Sequence, residues 1–169
     1  MCIRDRIETV KKELETLNEN SIKLNAIGDL ENLPPKTYQA LKEGIEDTKE
    51  NTRMTLTLAL NYSSRWEISR AMKQIAQKVK KGDLDPEDID DNCINDHLTT
   101  AQIPDPELLI RTSGEHRVSN YLLWQLAYTE FYFTDIFWPE FRKVDFFNAI
   151  LDFQHRERRF GKTSAQLKA

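Results

Sequence analysis

The sequence has few cysteines, no long apolar run and no excess of positive charge. Its two cysteines, Cys2 and Cys93, stand far apart without metal-ligand spacing, which favours free thiols in a reducing cytoplasm over a disulfide framework. The longest apolar stretch, around residues 121–128, is too short to span a bilayer. The formal net charge of −4 argues against a basic nucleic-acid binder, so any anion site must be a local cluster.

Length and composition are those of one soluble globular domain. The 169 residues are 39% hydrophobic and 31% charged, which is enough apolar material for a core. The charged start, MCIRDRIETVKKELE, predicts no signal peptide. There is no internal repeat, low-complexity segment or boundary signal, so we expect a single domain over residues 1–169.

Helical and strand patterns alternate along the chain. The clearest strand is TRMTLTLALNY, in which Met54, Leu56 and Leu58 fall on one face, and further strands are predicted in SIKLNAIGD and PELLIR. Helices are predicted in RIETVKKELETLNEN, PPKTYQALKEGIEDTKEN, SSRWEISRAMKQIAQKVKKG, DPEDIDDNCINDHL, VSNYLLWQLAY and VDFFNAILDFQHRERRFG. The alternation predicts an α/β fold with a mostly parallel central sheet flanked by helices, and the small number of strands suggests part of a larger sheet.

A polar stretch, RTSGEHRVSN, stands between a predicted strand and a predicted helix. Arg111 would lie at the end of the strand, Gly114 would permit a tight turn, and Arg117 would point back across the loop. Ser119 or Asn120 would cap the helix. Because ligands of parallel sheets bind beyond the carboxyl ends of the strands, and Arg presents paired donors, the stretch suits a phosphate or diphosphate.

The same residues allow a second interpretation. Arg117 and Glu115 could form an ordinary surface ion pair, and Ser119 could be a plain helix cap. The local sequence leaves both interpretations open.

A longer stretch carries a family resemblance. The run LLIRTSGEHRVSNYLLWQLAYTEFYFTDIFWPEF resembles the C-terminal signature of the cis-prenyltransferases, of the bacterial undecaprenyl diphosphate synthase type. The stretches IGDLENLP, LALNYSSRWEI and RERRFG agree in order and spacing. The resemblance covers nearly the whole chain after residues 1–6, which match no family element and are not expected to be native to it.

The resemblance implies roles for the polar stretch and for one carboxylate. Arg111, Arg117 and Ser119, with the amide around Val118, would hold the diphosphate of isopentenyl diphosphate. His116 also matches a histidine at the family's pocket, although a lone exposed histidine is as often a bystander. The resemblance also implies that Glu130 binds Mg²⁺, and that Arg159 and Gly161 form the RxG ending that reaches the partner subunit's site.

Each of these has a plainer interpretation. From the residues alone, Glu130 is a solvated carboxylate at a helix end, and Arg159 with Gly161 is a common helix terminus. Met54 matches the closed end of the family's prenyl tunnel, but a methionine on a strand is usually core. The aromatic cluster is interpreted as core or dimer interface: Trp124, Tyr128, Phe131, Phe133, Phe137 and Trp138.

The chain also departs from the family. The aspartate loop that binds magnesium and the allylic diphosphate, and the SxEN stretch with the presumed proton acceptor, have no counterpart in this sequence, so no catalytic residue is assigned. NYSSR replaces the usual NYGGR, with Ser63 and Ser64 at the turn. We expect an N-terminally truncated domain that is inactive alone.

The function that the resemblance implies is that of a homodimeric cytoplasmic enzyme. Such an enzyme condenses isopentenyl diphosphate onto an allylic diphosphate such as farnesyl diphosphate, and makes a long-chain polyprenyl diphosphate for the cell-wall lipid carrier. Contact with the membrane surface through the lipid product is a further expectation. The alternatives are a non-catalytic accessory subunit and an unrelated phosphate-binding module. Retention of Arg111, Arg117, Ser119 and Glu130 together favours the enzyme fragment.

Overall fold

The computed structural model describes residues 13–157. The chain divides into two compact units, with the division between Gln102 and Ile103. Each unit contains a pair of parallel strands and at least one helix. Along residues 13–157, no helix is both long and apolar enough to cross a membrane.

The first unit alternates helices and strands. Residues 13–19 are helical and form the described part of α1. They are followed by β1 (Ile22–Ile27), α2 (Pro35–Asp47), β2 (Met54–Ala59), α3 (Ser64–Lys81) and α4 (Asp91–His97), with short 3-10 turns at Leu30–Asn32 and Pro86–Asp88. Pro35 opens α2, where a missing backbone N–H costs nothing, and Gly82 ends α3 with a φ of 80°. These elements confirm the predicted strands and helices of this half.

The two strands of the first unit run parallel and in continuous register. Ile22 pairs with Met54 and Ile27 pairs with Ala59. The core that holds the pair consists of buried leucines, namely Leu17, Leu24, Leu33, Leu41 and Leu60. Thr48 is fully buried after α2, and its hydroxyl accepts a hydrogen bond of 2.9 Å from the Leu24 amide. That bond ties α2 to β1.

A carboxylate is buried at the start of α3. Glu67 has no exposed surface, and it accepts a 2.6 Å hydrogen bond from the Tyr62 hydroxyl and a 2.9 Å bond from the Thr99 amide. The Thr99 hydroxyl also donates to it. Because a buried charge is tolerated only when several donors satisfy it, this cluster fixes the start of α3 against the chain that follows α4.

The second unit contains β3 (Leu108–Arg111), β4 (Glu130–Phe133) and α5 (Lys143–Gln154), with a 3-10 turn at Trp138–Glu140. The two strands are parallel, so that Leu108 pairs with Glu130 and Arg111 pairs with Phe133. The Thr129 hydroxyl donates a 2.6 Å bond to the Pro106 carbonyl immediately before the strands. In α5, Ala149 is completely buried.

The predicted α/β class and the parallel pairing are confirmed. The described strands form two separate two-stranded sheets, whereas the sequence pattern predicted one central sheet. Strand β4 was not predicted, although the aromatic residues of EFYF are typical of strands. The last predicted helix ends at Gln154, and its expected glycine terminus at Gly161 lies outside the described residues.

The helix predicted in VSNYLLWQLAY is wrong. Residues 119–128 form a succession of turns and bends in the structure. Ser119, Asn120 and Leu122 have φ values of 50°, 60° and 47°, which belong to the left-handed region. A right-handed helix cannot include such residues, so helical periodicity here reflects a folded loop with apolar side chains.

Candidate functional site

Arg111 is the residue that the structure singles out. It is the last residue of β3, it lies opposite Phe133 and it is half-buried. Its Nε atom is buried and has no hydrogen-bond partner within the described part of the chain. An unsatisfied buried donor costs about 1–3 kcal/mol, and more when it is charged. A guanidinium in this state, at the carboxyl end of a parallel strand, is suited to receive an anion.

The loop after β3 is fixed by the continuation of β4. The Ser113 amide donates to the Ile136 carbonyl at 2.9 Å, and the Gly114 amide donates to the Thr134 carbonyl at 3.0 Å. Ser113 and Gly114 have φ values of 69° and 66°. A Cβ atom on Gly114 would lie 2.9 Å from Oδ1 of Asp135, so a larger residue would meet both strain and contact there. The predicted tight turn at Gly114 is therefore present.

His116 and Arg117 follow this turn. The His116 ring lies 4.8 Å from the Phe133 ring between centroids, and Phe133 is also the strand partner of Arg111. The structure therefore brings Arg111 and His116 to the same end of the strand pair. Arg117 is 65% exposed in its side chain and forms an ion pair with Glu115, as the plainer interpretation of the sequence predicted. An exposed pair of this kind is weak enough to exchange partners.

The predicted helix N-terminus is missing from this site. Val118 is half-buried, Ser119 is exposed, and the Val118 carbonyl accepts a 3.0 Å bond from the Tyr121 amide within a turn. Because no helix begins here, a helix dipole does not assist anion binding at this point. The roles expected of the Val118 amide and the Ser119 hydroxyl stay predictions.

Glu130 lies at the opposite end of the strands from Arg111. It starts β4 and pairs with Leu108, three positions before Phe133 in the register, so it lies about 10 Å from Arg111 along the strand direction. Its Oε2 atom accepts a 2.9 Å hydrogen bond from the Arg156 guanidinium. That contact is the main reason why the pKa of Arg156 is raised above its ordinary value. The structure does not bring Glu130 and Arg111 together.

The described residues around Glu130 do not by themselves form a magnesium site. Mg²⁺ is bound by an octahedron of oxygen atoms, of which carboxylates are the usual protein members. Within residues 13–157 no three Asp, Glu, His or Cys side chains form a group that could hold a metal. One Glu130 oxygen is already paired with a guanidinium. The metal role of Glu130 stays a prediction.

Comparison with known protein families identifies the family of this chain. Residues 2–161 match the Prenyltransf family model, which describes an undecaprenyl diphosphate synthase. The chain belongs to this prenyltransferase family. The cis-prenyltransferase resemblance of the sequence motifs is thereby confirmed.

Individual relatives agree. The chain is 52% identical to an isoprenyl transferase of Chlorobaculum tepidum, over 96% of this chain and 61% of the relative. It is 46% identical to the farnesyl-diphosphate-specific ditrans,polycis-undecaprenyl-diphosphate synthase of Pseudomonas syringae pv. tomato, over 95% of this chain and 64% of that protein. The chain thus spans less than two thirds of the length of these relatives.

A solved structure gives the same assignment. The lavandulyl diphosphate synthase of Lavandula x intermedia, crystallised with dimethylallyl diphosphate, matches with a TM-score of 0.91 and 36% identity. The match covers 95% of this chain and 70% of that one. The α/β fold is therefore the fold of a prenyl diphosphate synthase.

The remaining predicted residues of this prenyltransferase chain lie either outside the described residues or, for Met54 and part of the aromatic cluster, at the surface. Arg159 and Gly161 lie outside the described residues. Met54 is 53% exposed on β2, so it is not a core residue in this structure. The core interpretation of the aromatic cluster fails for its most exposed members, Tyr128, Phe133, Phe137 and Trp138, which are 37% to 71% exposed. Their part in a dimer interface stays a prediction.

Sequence reasoning missed Arg156. Its guanidinium bridges the end of α5 and the start of β4, but the residue belongs to the basic run RERRFG, in which only the last arginine was singled out. Spacing at the end of α5 offered one signal, since Asp152 stands four residues before Arg156 and makes an ion pair with it. The partner on β4 could not be found, because that strand was not predicted.

Proposed function

We propose that this chain provides the isopentenyl diphosphate-binding part of a cis-prenyltransferase. The observation that carries the proposal is the half-buried Arg111 at the carboxyl end of β3, with a buried Nε that has no partner among the described residues. It stands in the stretch that resembles the C-terminal signature of the family, within the residues that match the family model. Relatives named for undecaprenyl diphosphate synthesis support the substrate class.

Three side chains would share the diphosphate. Arg111 offers its fork of donors from the strand, and His116 lies beside the same strand partner, Phe133. Arg117 would exchange its exposed partner Glu115 for a phosphate oxygen. Guanidinium groups suit this task because they remain charged and donate two parallel hydrogen bonds to paired oxygens. In this proposal magnesium binds together with the diphosphate, and the described residues do not hold it beforehand.

The reaction proposed for the whole enzyme is a head-to-tail condensation. The double bond of isopentenyl diphosphate attacks C1 of an allylic diphosphate such as farnesyl diphosphate, the C1–O bond breaks so that inorganic diphosphate leaves with the electron pair, and a proton is removed from the isopentenyl unit. The product retains the isopentenyl diphosphate group and is five carbons longer. Repetition gives a polyprenyl diphosphate of the undecaprenyl type, which we propose for the cell-wall lipid carrier, made in the cytoplasm at the membrane surface.

Binding and turnover separate the parts of this proposal. Isothermal titration of the 169-residue chain with isopentenyl diphosphate should detect binding, and Arg111→Ala should weaken it by about 10-fold or more, since a hydrogen bond to a charged group contributes about 1.5–3 kcal/mol. Arg53→Ala is the matched control, because Arg53 is exposed in the first unit. Equal affinity of wild type and Arg111→Ala would contradict the proposal. Radiolabelled isopentenyl incorporation tests activity, and we expect none from this chain alone.

The second unit also supports a proposed homodimer. Its surface exposes large apolar side chains on the turn before α5 and on α5 itself, among them Phe137, Trp138, Val144, Phe147 and Leu151, each at least 50% exposed. Monomeric proteins rarely leave so many large apolar groups together in water. We therefore propose that this surface pairs with a second copy.

A further inference from the structure

Helix α3 presents a strongly basic side to the solvent. It carries six cationic side chains, namely Arg65, Arg70, Lys73, Lys78, Lys80 and Lys81. The one carboxylate of the helix, Glu67, is completely buried. The exposed side of α3 therefore carries positive charge without a carboxylate of its own, in a protein whose formal net charge is −4.

Two lysines lie at the centre of this basic side. Ala71 and Ile75 are buried and mark the side of α3 that faces the core. At about 3.6 residues per turn, Lys73 and Lys80 project from the opposite side of the helix, two turns apart, and both are exposed. Among the described residues neither lysine forms an ion pair, so both charges are open to an external anion.

A shallow groove of about 250 Å³ lies along the same side of α3. Its lining consists of Trp66, Ser69, Arg70, Lys73, Gln74 and Gln77. The Arg70 guanidinium lies over the Trp66 ring, 6.0 Å from the ring centroid. The groove is smaller than the roughly 300–1,000 Å³ of a site that encloses a small molecule. It is better suited to a charged group that is presented from outside, such as the phosphate of a lipid headgroup.

The composition of this side of α3 favours a lipid surface over a nucleic acid. Groups of four to eight or so Lys and Arg on an amphipathic helix are typical of binding to anionic lipids. Met72 on the same helix is 65% exposed, and Trp66 is half-buried, so apolar groups accompany the charges. Tryptophan is favoured at the boundary between headgroups and water. Nucleic-acid binding depends on an extended basic surface, whereas here an acidic segment, residues 83–91, directly follows the helix.

We propose that the basic side of α3 docks this protein on an anionic lipid surface. Lys73 and Lys80 contact headgroup phosphates, and the groove beside Trp66 and Arg70 receives one of them. The inference rests on the proposed function for its biological purpose, because a long-chain polyprenyl diphosphate is a lipid that would leave the enzyme at such a surface. The docking surface itself belongs to the first unit and does not involve Arg111, which lies in the second.

Co-sedimentation with lipid vesicles tests the docking without any prenyl substrate. The 169-residue chain should bind phosphatidylcholine vesicles that contain phosphatidylglycerol and should not bind vesicles of phosphatidylcholine alone. Lys73→Gln/Lys80→Gln should weaken this binding about 10- to 30-fold, since each cation near an anionic surface accounts for about 5-fold. Glutamine has nearly the helix propensity of lysine, so the double variant should keep its helical circular dichroism.

The matched control removes the same charge from another helix. Lys36 and Lys42 are exposed on α2, and Lys36→Gln/Lys42→Gln should bind the vesicles as wild type does. Wild-type affinity of Lys73→Gln/Lys80→Gln would overturn the proposal. An equal loss in both double variants would also overturn it, because net charge alone would then explain the binding. Binding of wild type to single-stranded RNA but not to the vesicles would show that the partner is a nucleic acid and that the proposal is wrong.

Isopentenyl diphosphate titration separates this inference from the proposed function. Lys73→Gln/Lys80→Gln should bind isopentenyl diphosphate with the affinity of wild type, because the two lysines lie in the first unit and Arg111 lies in the second. If wild type binds the vesicles through α3 but binds no isopentenyl diphosphate, the proposed function fails and the docking surface is retained. If wild type binds isopentenyl diphosphate but not the anionic vesicles, the docking surface is wrong and the proposed function is retained.

Discussion

The buried carboxylate at the start of α3 gives a prediction whose size follows from the structure. Glu67 is completely buried and receives hydrogen bonds from the Tyr62 hydroxyl, the Thr99 amide and the Thr99 hydroxyl. Glu67→Gln retains the shape of the side chain but replaces one accepting oxygen with an NH₂ donor. If the NH₂ group faces Thr99 it meets the amide donor, and if it faces Tyr62 the hydroxyl must turn from donor to acceptor; in both cases bonds to a carboxylate become bonds to a neutral amide.

The expected loss can be worked from that change. A hydrogen bond to a charged acceptor contributes about 1.5–3 kcal/mol and a neutral one about 0.5–1.5 kcal/mol, so weakening the bonds from Tyr62 and Thr99 in Glu67→Gln should lower the free energy of unfolding by about 2 kcal/mol. For a chain of this length the corresponding decrease in Tm is about 3–12 °C. The loss is local to the junction between α3 and the segment after α4, so the secondary structure of the remaining chain should be retained.

Urea unfolding followed by circular dichroism measures this effect. The matched control is Glu46→Gln, because Glu46 is 68% exposed and forms a surface ion pair with Lys49. The control should change the free energy of unfolding by less than about 0.5 kcal/mol. If Glu67→Gln is as stable as this control, the reasoning about the buried cluster is wrong.

Three further predictions concern other parts of the fold. Gly28→Ala should destabilise by about 1–3 kcal/mol in urea unfolding, because φ is +112° and a Cβ would lie 2.2 Å from the Leu60 carbonyl oxygen; an unchanged midpoint would refute this. The Asp90 carboxylate accepts a 2.7 Å bond from the Cys93 amide, which lowers the pKa of Asp90. The stabilisation by this bond is therefore present above the ordinary carboxyl pKa and lost as pH falls through the lowered pKa. The free energy of unfolding of Asp90→Asn, measured between about pH 2 and pH 7, should depend less on pH than that of wild type. Trp138→Ser should shift the sedimentation of a dimer towards that of a monomer, whereas unchanged sedimentation would contradict a dimer contact at Trp138.

The sequence predicted those elements whose own periodicity is strong. β1, β2, α2 and α3 were identified because apolar residues recur at the strand or helix period and because Pro35 and Gly82 mark helix ends. The same reasoning failed for residues 119–128, which form turns and bends. There the apolar spacing resembles a helix, but the backbone includes left-handed residues such as Leu122, which no pattern of residue types would have indicated.

The site could be predicted only in part for a related reason. Arg111 and Gly114 were found because the end of a strand and a glycine turn have local signals, whereas His116 was assigned through the family resemblance. The separation of Glu130 from Arg111 depends on the register between β3 and β4, which is a contact between distant parts of the chain. Likewise, the pairing of Glu130 with Arg156 spans 26 residues and has no local signature.

The central claim is that Arg111 binds the diphosphate of isopentenyl diphosphate. Isothermal titration of wild type, Arg111→Ala and the control Arg53→Ala with isopentenyl diphosphate, in the presence of magnesium, tests it most directly. We predict binding by wild type and by Arg53→Ala, and an affinity about 10-fold or more weaker for Arg111→Ala. Equal affinities for all three proteins, or no binding by wild type, would contradict the account.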